Sequence, residues 1–393
     1  MKKKLLSLAL LVLLICGMFT ASAETPVKEQ GLYQYRVKED GTAEIIGVSE
    51  TIQDGNIPAE LDGYKVTSIG SFAFDECSNL KEVRIPEGVT AMLPDAFIRC
   101  KELTSVSIPD SMADIGGSAE TKTYGGVPFM ACPKLESIEI SPDHPVYMFT
   151  DHALINRQRM ALVYFAYPDY SGTYEIPRGI KTIEAYAFYQ HPFTSAIIPE
   201  SVTYIGHSSF SLCENLKEVV IADGVRSIDS LAFAFCNMLE SVNIPDSVTE
   251  IGPGAFNACD RLTAVQISPD HPVFELRDKM VIQKEGMRIV SVLSGISGKY
   301  EIPEGIVEIW DRAFQYYLGL KEIVIPDSVT SIGALAFYTC YDLQEVYIPG
   351  SVTEIGEDAF RGCSDELVIK APAGSAAEKY CEENGIKYEA VVP

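Results

Sequence analysis

One tryptophan and ten cysteines stand among 393 residues. Cysteine this sparse excludes a small scaffold held by disulfides. Positive charge is also short: 31 Lys and Arg face 55 Asp and Glu, a net charge of −24. Such a chain repels phosphate backbones and anionic membrane surfaces, which excludes sequence-independent nucleic-acid binding and adsorption to acidic lipid. The 29 glycines and 22 prolines are too few for a collagen-like or low-complexity chain. Apolar residues at 47% and charged residues at 22% exclude a long disordered protein. Beyond residues 5–20 no apolar run approaches the ~18 residues of a membrane span. Catalytic signatures are missing too: no G-x-S-x-G, no H-E-x-x-H, no G-x-G-x-x-G. Ser297-Gly298-Lys299 resembles the end of a phosphate loop, but Leu293 stands where its first Gly belongs and Tyr300 where Ser or Thr belongs. No twelve-residue calcium loop fits around Asp40-Gly41. No catalytic residue, metal site or cofactor site is expected, and the chain does not read as an enzyme.

The N-terminus reads as a secretory signal peptide. Lys2, Lys3 and Lys4 precede the apolar run, and Ala21-Ser22-Ala23 is a small-residue cleavage site, with cleavage expected after Ala23. A rival reading is lipidation at Cys16, for which Leu13-Leu14-Ile15 is a poor box. The chain is therefore expected to be secreted or held at the cell surface, with no transmembrane span in its mature part.

What the chain has in abundance is a repeat. The template A-F-x-x-C-x-x-L-x-x-V-x-I-P, a short turn, then V-T-x-I-G, recurs with its Phe at 74, 97, 129, 188, 210, 233, 256, 314, 337 and 360. The regular interval is 23 residues. A fixed period of this length is the signature of a solenoid. In one unit Leu80, Val83 and Ile85 turn inward while Lys81, Glu82 and Arg84 turn out. Pro86 ends the strand because it has no N–H for the ladder. Asp95-Ala96-Phe97 is expected to form a helical or 3₁₀ turn that drives the ring inward. No unit buries its own apolar side, so the units must stack. Ten strands at about 4.8 Å make a rod of about 50 Å.

Eight cysteines, at 77, 100, 132, 213, 236, 259, 340 and 363, occupy one slot of the repeat; His191 and Tyr317 fill it in the other two units. A slot shared by every unit, rather than paired positions, predicts a reduced ladder of small buried side chains. Two islands interrupt the stack. Ser-Pro-Asp-His-Pro-Val occurs from Ser141 and again from Ser268, each followed by two apolar runs that read as a β-hairpin. The islands divide the rod into segments of three, four and three repeats. A shorter insertion lies around residues 118–126. Asp40-Gly41 between two alternating runs predicts a capping hairpin, and Ser375-x-x-Glu378 with Asn384-Gly385 predicts a short capping helix.

The resulting organisation is a signal peptide (1–23), an N-terminal β cap (24–62), a solenoid of short strands and turns (63–370) with hairpin islands at 141–176 and 268–302, and a C-terminal cap (371–393). These residues resemble the BspA-like leucine-rich-repeat proteins of bacterial surfaces. The carriers are the A-F-x-x-C-x-x-L-x-x-V-x-I-P repeat, the hairpin around Asp40-Gly41-Thr42-Ala43, and the closing residues Gly374-Ser375 and Glu383 to Ile386. The resemblance covers nearly the whole chain after residue 23. It implies a leucine-rich-repeat solenoid, a secreted or surface location and, in some relatives, adhesion to host or bacterial partners.

Three groups of residues compete as a site. His144 and His271 in the duplicated Asp-His-Pro read either as a metal or acid–base pair or as a turn motif bonded to local backbone. Trp310 reads either as a ligand platform or as packing against the adjacent coil. The aromatics Tyr147, Phe149, Tyr164, Tyr167 and Tyr170 of the first island, with Tyr124 in the shorter insertion, read as a partner-binding surface, because alternation along a hairpin sends half of them outward. Their other reading is a seal between island and rod. The expected function is recognition of an extracellular protein or glycan; the alternative is a passive spacer of the envelope.

Overall fold

The structure is a computed structural model, and it describes residues 26–117 and 126–391. The repeat forms the coils of a leucine-rich-repeat solenoid, with two strands per coil and turns on the remaining side. The V-x-I strands make one parallel face, as in Ser195–Ile198, Glu218–Ile221, Ser241–Ile244 and Ala264–Ile267. The shorter strands before the Gly corner make a second, as in Thr182–Ile183, Tyr204–Ile205, Ser227–Ile228 and Glu250–Ile251. Period-two alternation explains the burial: Val219, Val242 and Val265 are buried, and Glu218, Val220, Ala264 and Gln266 are exposed. Phenylalanine rings stack along the axis with centroids 4.5–5.9 Å apart, in three runs broken at the islands.

The turn side differs from the expected helical or 3₁₀ turn. Nine of the ten marker Phe residues are flanked at −2 and +2 by residues in the left-handed region, such as Leu231 (φ 57°) and Phe235 (φ 61°); Phe129 has only Ala131. Alternate amides then serve two purposes. Ala234 N–H bonds Leu231 O within the coil (3.0 Å), while Phe233 and Phe235 N–H reach Ala255 and Asn257 O of the next coil (both 2.8 Å). A helical turn would direct all its N–H groups along its own chain and leave the stack without this third ladder.

The cysteine slot completes the ladder. Seven of the eight thiols donate to the carbonyl of the Phe one coil earlier, at 3.0–3.2 Å. No disulfide links the nine described cysteines. His191 and Tyr317 make the equivalent bond, His191 Nε2 to Tyr167 O (2.8 Å) and Tyr317 Oη to Leu293 O (2.8 Å). The slot therefore selects a donor, not merely a small apolar group.

Each island is a three-stranded antiparallel sheet: Tyr147–Thr150, Ala153–Asn156 and Ala161–Phe165, then Phe274–Arg277, Met280–Gln283 and Arg288–Val292. The third strand pairs in parallel with the next coil, Leu162 opposite Ile183 and Ile289 opposite Ile309. Both faces of the first island are buried. Leu154 and Val163 join the core of the preceding segment, while Ala153, Ile155 and Leu162 join the core of the following one. The second island divides likewise, Val281 and Val290 to one side, Met280, Ile282 and Ile289 to the other. The islands are internal walls, not surface hairpins.

Both ends are closed. Strands Tyr33–Val37 and Ala43–Val48 form the predicted hairpin and pair onward to Tyr64–Ile69. Helix Ala376–Asn384 starts at Ser375, whose Oγ accepts Glu378 N–H (3.3 Å), and stops at Gly385 in the left-handed region. The Glu378 carboxylate accepts Gly374 N–H (2.6 Å), one residue before the amide of the standard capping box. Tyr380 carries the aromatic stack over the last coil, 6.0 Å from Phe360.

Candidate functional site

A stacked coil repeats its neighbour's surface, so the informative places are where stacking is interrupted. At both islands the island strands continue the short-strand face, the V-x-I face is interrupted, and the turn side opens into a cleft. The first cleft, about 250 Å³, lies between the Phe129 and Phe188 coils and is lined by Cys132, Leu135, Tyr164, Tyr167, Tyr189 and His191, among others. The second, about 270 Å³, lies between the Phe256 and Phe314 coils and is lined by Cys259, Leu262, Val292, Tyr316, Tyr317 and Leu318, among others. The two are built from equivalent positions of the repeat. At the second, the Asn257 side chain spans the gap, its Nδ2 reaching Arg312 O (3.0 Å) and Gln315 Oε1 (3.2 Å). At the first, the island supplies a rung, Phe165 N–H to Ala187 O (3.0 Å).

The clefts differ in what borders them. Beside the second, Phe235, Tyr316 and Tyr338 form a chain of rings with centroids 5.0 and 5.8 Å apart, next to exposed Leu318 and Tyr341. Beside the first, Tyr167 stacks on His152 at 4.2 Å. His191 sits in its wall, and burial pushes its pKa down to about 4 against a smaller opposing effect of the Tyr167 carbonyl. The imidazole is therefore neutral near pH 7.

The aromatics singled out from sequence do not form one surface. Tyr147 is buried, and its hydroxyl accepts Ile115 N–H (2.9 Å), closing the edge of the preceding sheet. Phe149 and Tyr164 are half-buried against the first core; the Tyr164 ring lies 5.7 Å from Phe129, and burial raises its pKa. Tyr170 packs edge-on to Phe165 and bonds Thr173 O. Only Tyr164 and Tyr167 line the first cleft. The expectation that alternation turns half of the island outward fails because the other face meets a second stack of coils. Tyr124 lies outside the described residues. The residues that sequence reasoning missed, Tyr316, Leu318, Tyr338 and Tyr341, fall inside ordinary repeats and carry no motif.

His144 and His271 are turn residues. Each Nδ1 accepts two amides (Val146 and Tyr147; Val273 and Phe274, 3.0–3.1 Å), and each Nε2 meets a proline carbonyl one coil back, Pro109 O at 3.0 Å and Pro245 O at 3.1 Å. Both rings are fully engaged as neutral Nε2–H tautomers. Among the described residues no group of three or more His, Cys, Asp or Glu is placed to hold a metal ion. Trp310 packs on the core with Arg288 over its ring at 5.1 Å. The Gly at this slot in later coils has a physical cause: a Cβ on Gly252, Gly333 or Gly356 would sit 2.3–2.4 Å from backbone of the preceding coil. Leu93, Glu184, Asp229 and Trp310 fill this slot in other coils.

Part of the outward strand face is self-paired. Lys299 meets Glu322 and Lys370 meets Glu345, each at 2.8 Å, and Asn243 bonds both the amide and the carbonyl of Ile221. Among the described residues no helix is long and apolar enough to cross a membrane.

Solved structures similar to the chain include a leucine-rich cell surface protein from Faecalibacterium prausnitzii (23% identity, covering 95% of this chain and 100% of that one, TM-score 0.45). A leucine-rich-repeat protein from Bacteroides ovatus (23%, 93% and 100%, TM-score 0.36) and one from Eubacterium ventriosum (20%, 85% and 94%, TM-score 0.45) are also similar. No curated protein matches the chain. The family model described as a BspA-type leucine-rich-repeat region matches residues 60–166, 173–279 and 296–377, in six copies, and by this match over most of its length the chain belongs to the BspA-type leucine-rich-repeat family.

Proposed function

We propose that the protein is an exported, non-catalytic recognition protein that binds an extracellular protein or glycan, with the first junction as its principal contact. Residues 1–23 act as the signal peptide in this reading; they lie outside the described residues. The observation that carries it is the first cleft, where a repetitive surface is interrupted by a concave site bordered by Tyr164, Tyr167 and Tyr189. Aromatic side chains bury much area at little entropic cost, and concave interruptions are where a partner finds register on a repeating rod. The outward strand faces contribute less, because several of their charges pair along the stack.

The test uses the purified protein as bait against host-matrix and bacterial-surface extracts, followed by titration with the isolated partner. Tyr167→Ser is expected to weaken binding at least tenfold, with Tyr316→Ser at the second junction as the comparison. Equal loss in both variants, or in neither, places the contact elsewhere. A second reading, a passive spacer, is favoured by the self-paired outward face; saturable, Tyr167-dependent binding excludes it.

A further inference from the structure

The two ends of the V-x-I face are closed differently. At the N-terminal end the edge strand Glu82–Arg84 is covered, because Arg84 N–H donates to Gly55 O (2.8 Å) and Ile57 N–H to Arg84 O (3.1 Å). At the C-terminal end the last strand, Lys387–Val391, pairs with Val368–Pro372 on one side and with nothing described on the other. Its free edge has a definite chemistry. Throughout this face the outward residues bond backward along the rod: Val368 N–H reaches Gln344 O (2.9 Å), and Tyr347 O accepts Ile325 N–H (3.1 Å). Lys387, Glu389 and Val391 stand opposite Val368, Lys370 and Pro372 and continue that parity. By alternation, Tyr388 and Ala390 point their N–H and C=O groups off the end of the rod. Ala390 is exposed and Tyr388 half-buried, so the end of this sheet is open to solvent.

The geometry points to a second copy of this chain as the occupant, joined edge to edge about a two-fold axis at Tyr388. Two-fold pairing of identical strands is antiparallel, and an isologous contact must be self-complementary. With Tyr388 opposite its own copy, the two Tyr388 residues exchange N–H···O bonds. Lys387 then faces Glu389 of the second copy in a non-hydrogen-bonded pair, twice over, where side chains approach most closely. The register centred on Glu389, which the backbone parity also permits, sets two carboxylates against each other and is disfavoured. In the single chain Lys387 Nζ rests on Asp365 O (3.2 Å) at an exposed position, so it is available to the new partner. The joined sheets continue across the axis, and two rods meet C-terminus to C-terminus. The result is a bivalent protein whose recognition surfaces lie on opposite arms, and avidity multiplies modest affinity for a surface partner.

Sedimentation velocity over a concentration series tests this. The unmodified protein is expected to show a concentration-dependent monomer–dimer equilibrium. Ala390→Pro removes a free-edge N–H and no bond to Val368–Pro372, and is expected to give monomer with an unchanged thermal melt. Lys387→Glu is expected to raise the dimer dissociation constant about tenfold, since each two-fold pair becomes like-charged. Glu389→Lys added to it is expected to restore dimerisation. Monomer at every concentration, or a dimer indifferent to both Ala390→Pro and Lys387→Glu, overturns the inference. Should Ala390→Pro melt early, the charge pair alone decides, because both of its positions are exposed.

Discussion

The cysteine slot shows how one position controls stability along a repeat. Its occupant donates to a carbonyl one coil back, and Cys, His191 and Tyr317 meet that demand by different means. His191 makes this slot sensitive to acid. Its folded pKa of about 4 lies below the usual 6.5, so the unfolded chain takes up the proton first. The neutral form's stability is complete above pH ~6.5 and is lost as pH falls toward ~4, to a total of about 3 kcal/mol. His191→Cys is expected to fold and to flatten the melting temperature across that window relative to the unmodified protein; parallel pH profiles would mean that His191 is not held neutral. A larger contrast separates the two faces of a strand. Phe233→Ala is expected to cost about 3–5 kcal/mol, because Phe233 is fully buried in the middle segment. Tyr347→Ala, on the outward face, is expected to stay within about 0.5 kcal/mol. Denaturant midpoints distinguish them, and equal shifts would reverse the assignment of inside and outside.

Elements defined by local chemistry were legible in the sequence. Asp40-Gly41 marks a hairpin because few residue types accept its turn, and Ser375 and Gly385 mark a helix because its end groups need partners. The islands were legible as strands but not as walls. Alternation in Ala153-Leu154-Ile155 separates two faces; whether the second meets water or another coil depends on chain far away. The turn ladder was hidden for a related reason. Leu231, Phe235 and Arg312 adopt positive φ without glycine, held by bonds to the neighbouring coil, so composition gives no sign of them. The site divided in the same way: Tyr164 and Tyr167 stood out by clustering, whereas Tyr316 and Leu318 line a cleft only because the second island interrupts the stack.

At the level of the cysteine ladder as an element, burial raises the thiol pKa of Cys77 to about 12 and pushes those of Cys236 and Cys259 well above the usual value, so their reactive thiolates are suppressed. Cys363 is the exception. It is half-buried at the last coil, and a hydrogen bond with Cys340 lowers its pKa. Native labelling with an alkylating reagent, read by peptide mass spectrometry, is expected to modify Cys363 first and the interior slots only after denaturation. Rapid labelling of Cys236 in the folded protein would show that the stack opens. Without reductant, all nine described cysteines are expected to label once the chain is unfolded.

For the molecule as a whole, the decisive feature is that the islands turn three short stacks into one rod with two lateral clefts. Three hydrophobic clusters are joined through the two walls, each wall giving one face to either side. The clefts follow from the same construction, since each wall continues the short-strand face and leaves the turn side open. Under the proposed function, a partner that fills a cleft adds cover where the ladder is interrupted, so binding at a junction is expected to stabilise the rod. The most direct measurement is hydrogen exchange, by mass spectrometry on the native protein, of the strands Ala153–Asn156 and Met280–Gln283. As interior walls, their amides are expected to exchange as slowly as those of the mid-rod strand Ser241–Ile244, opening only with the whole stack. Exchange at the rate of an exposed hairpin, well before Ser241–Ile244, would contradict the interior-wall architecture and the clefts that depend on it.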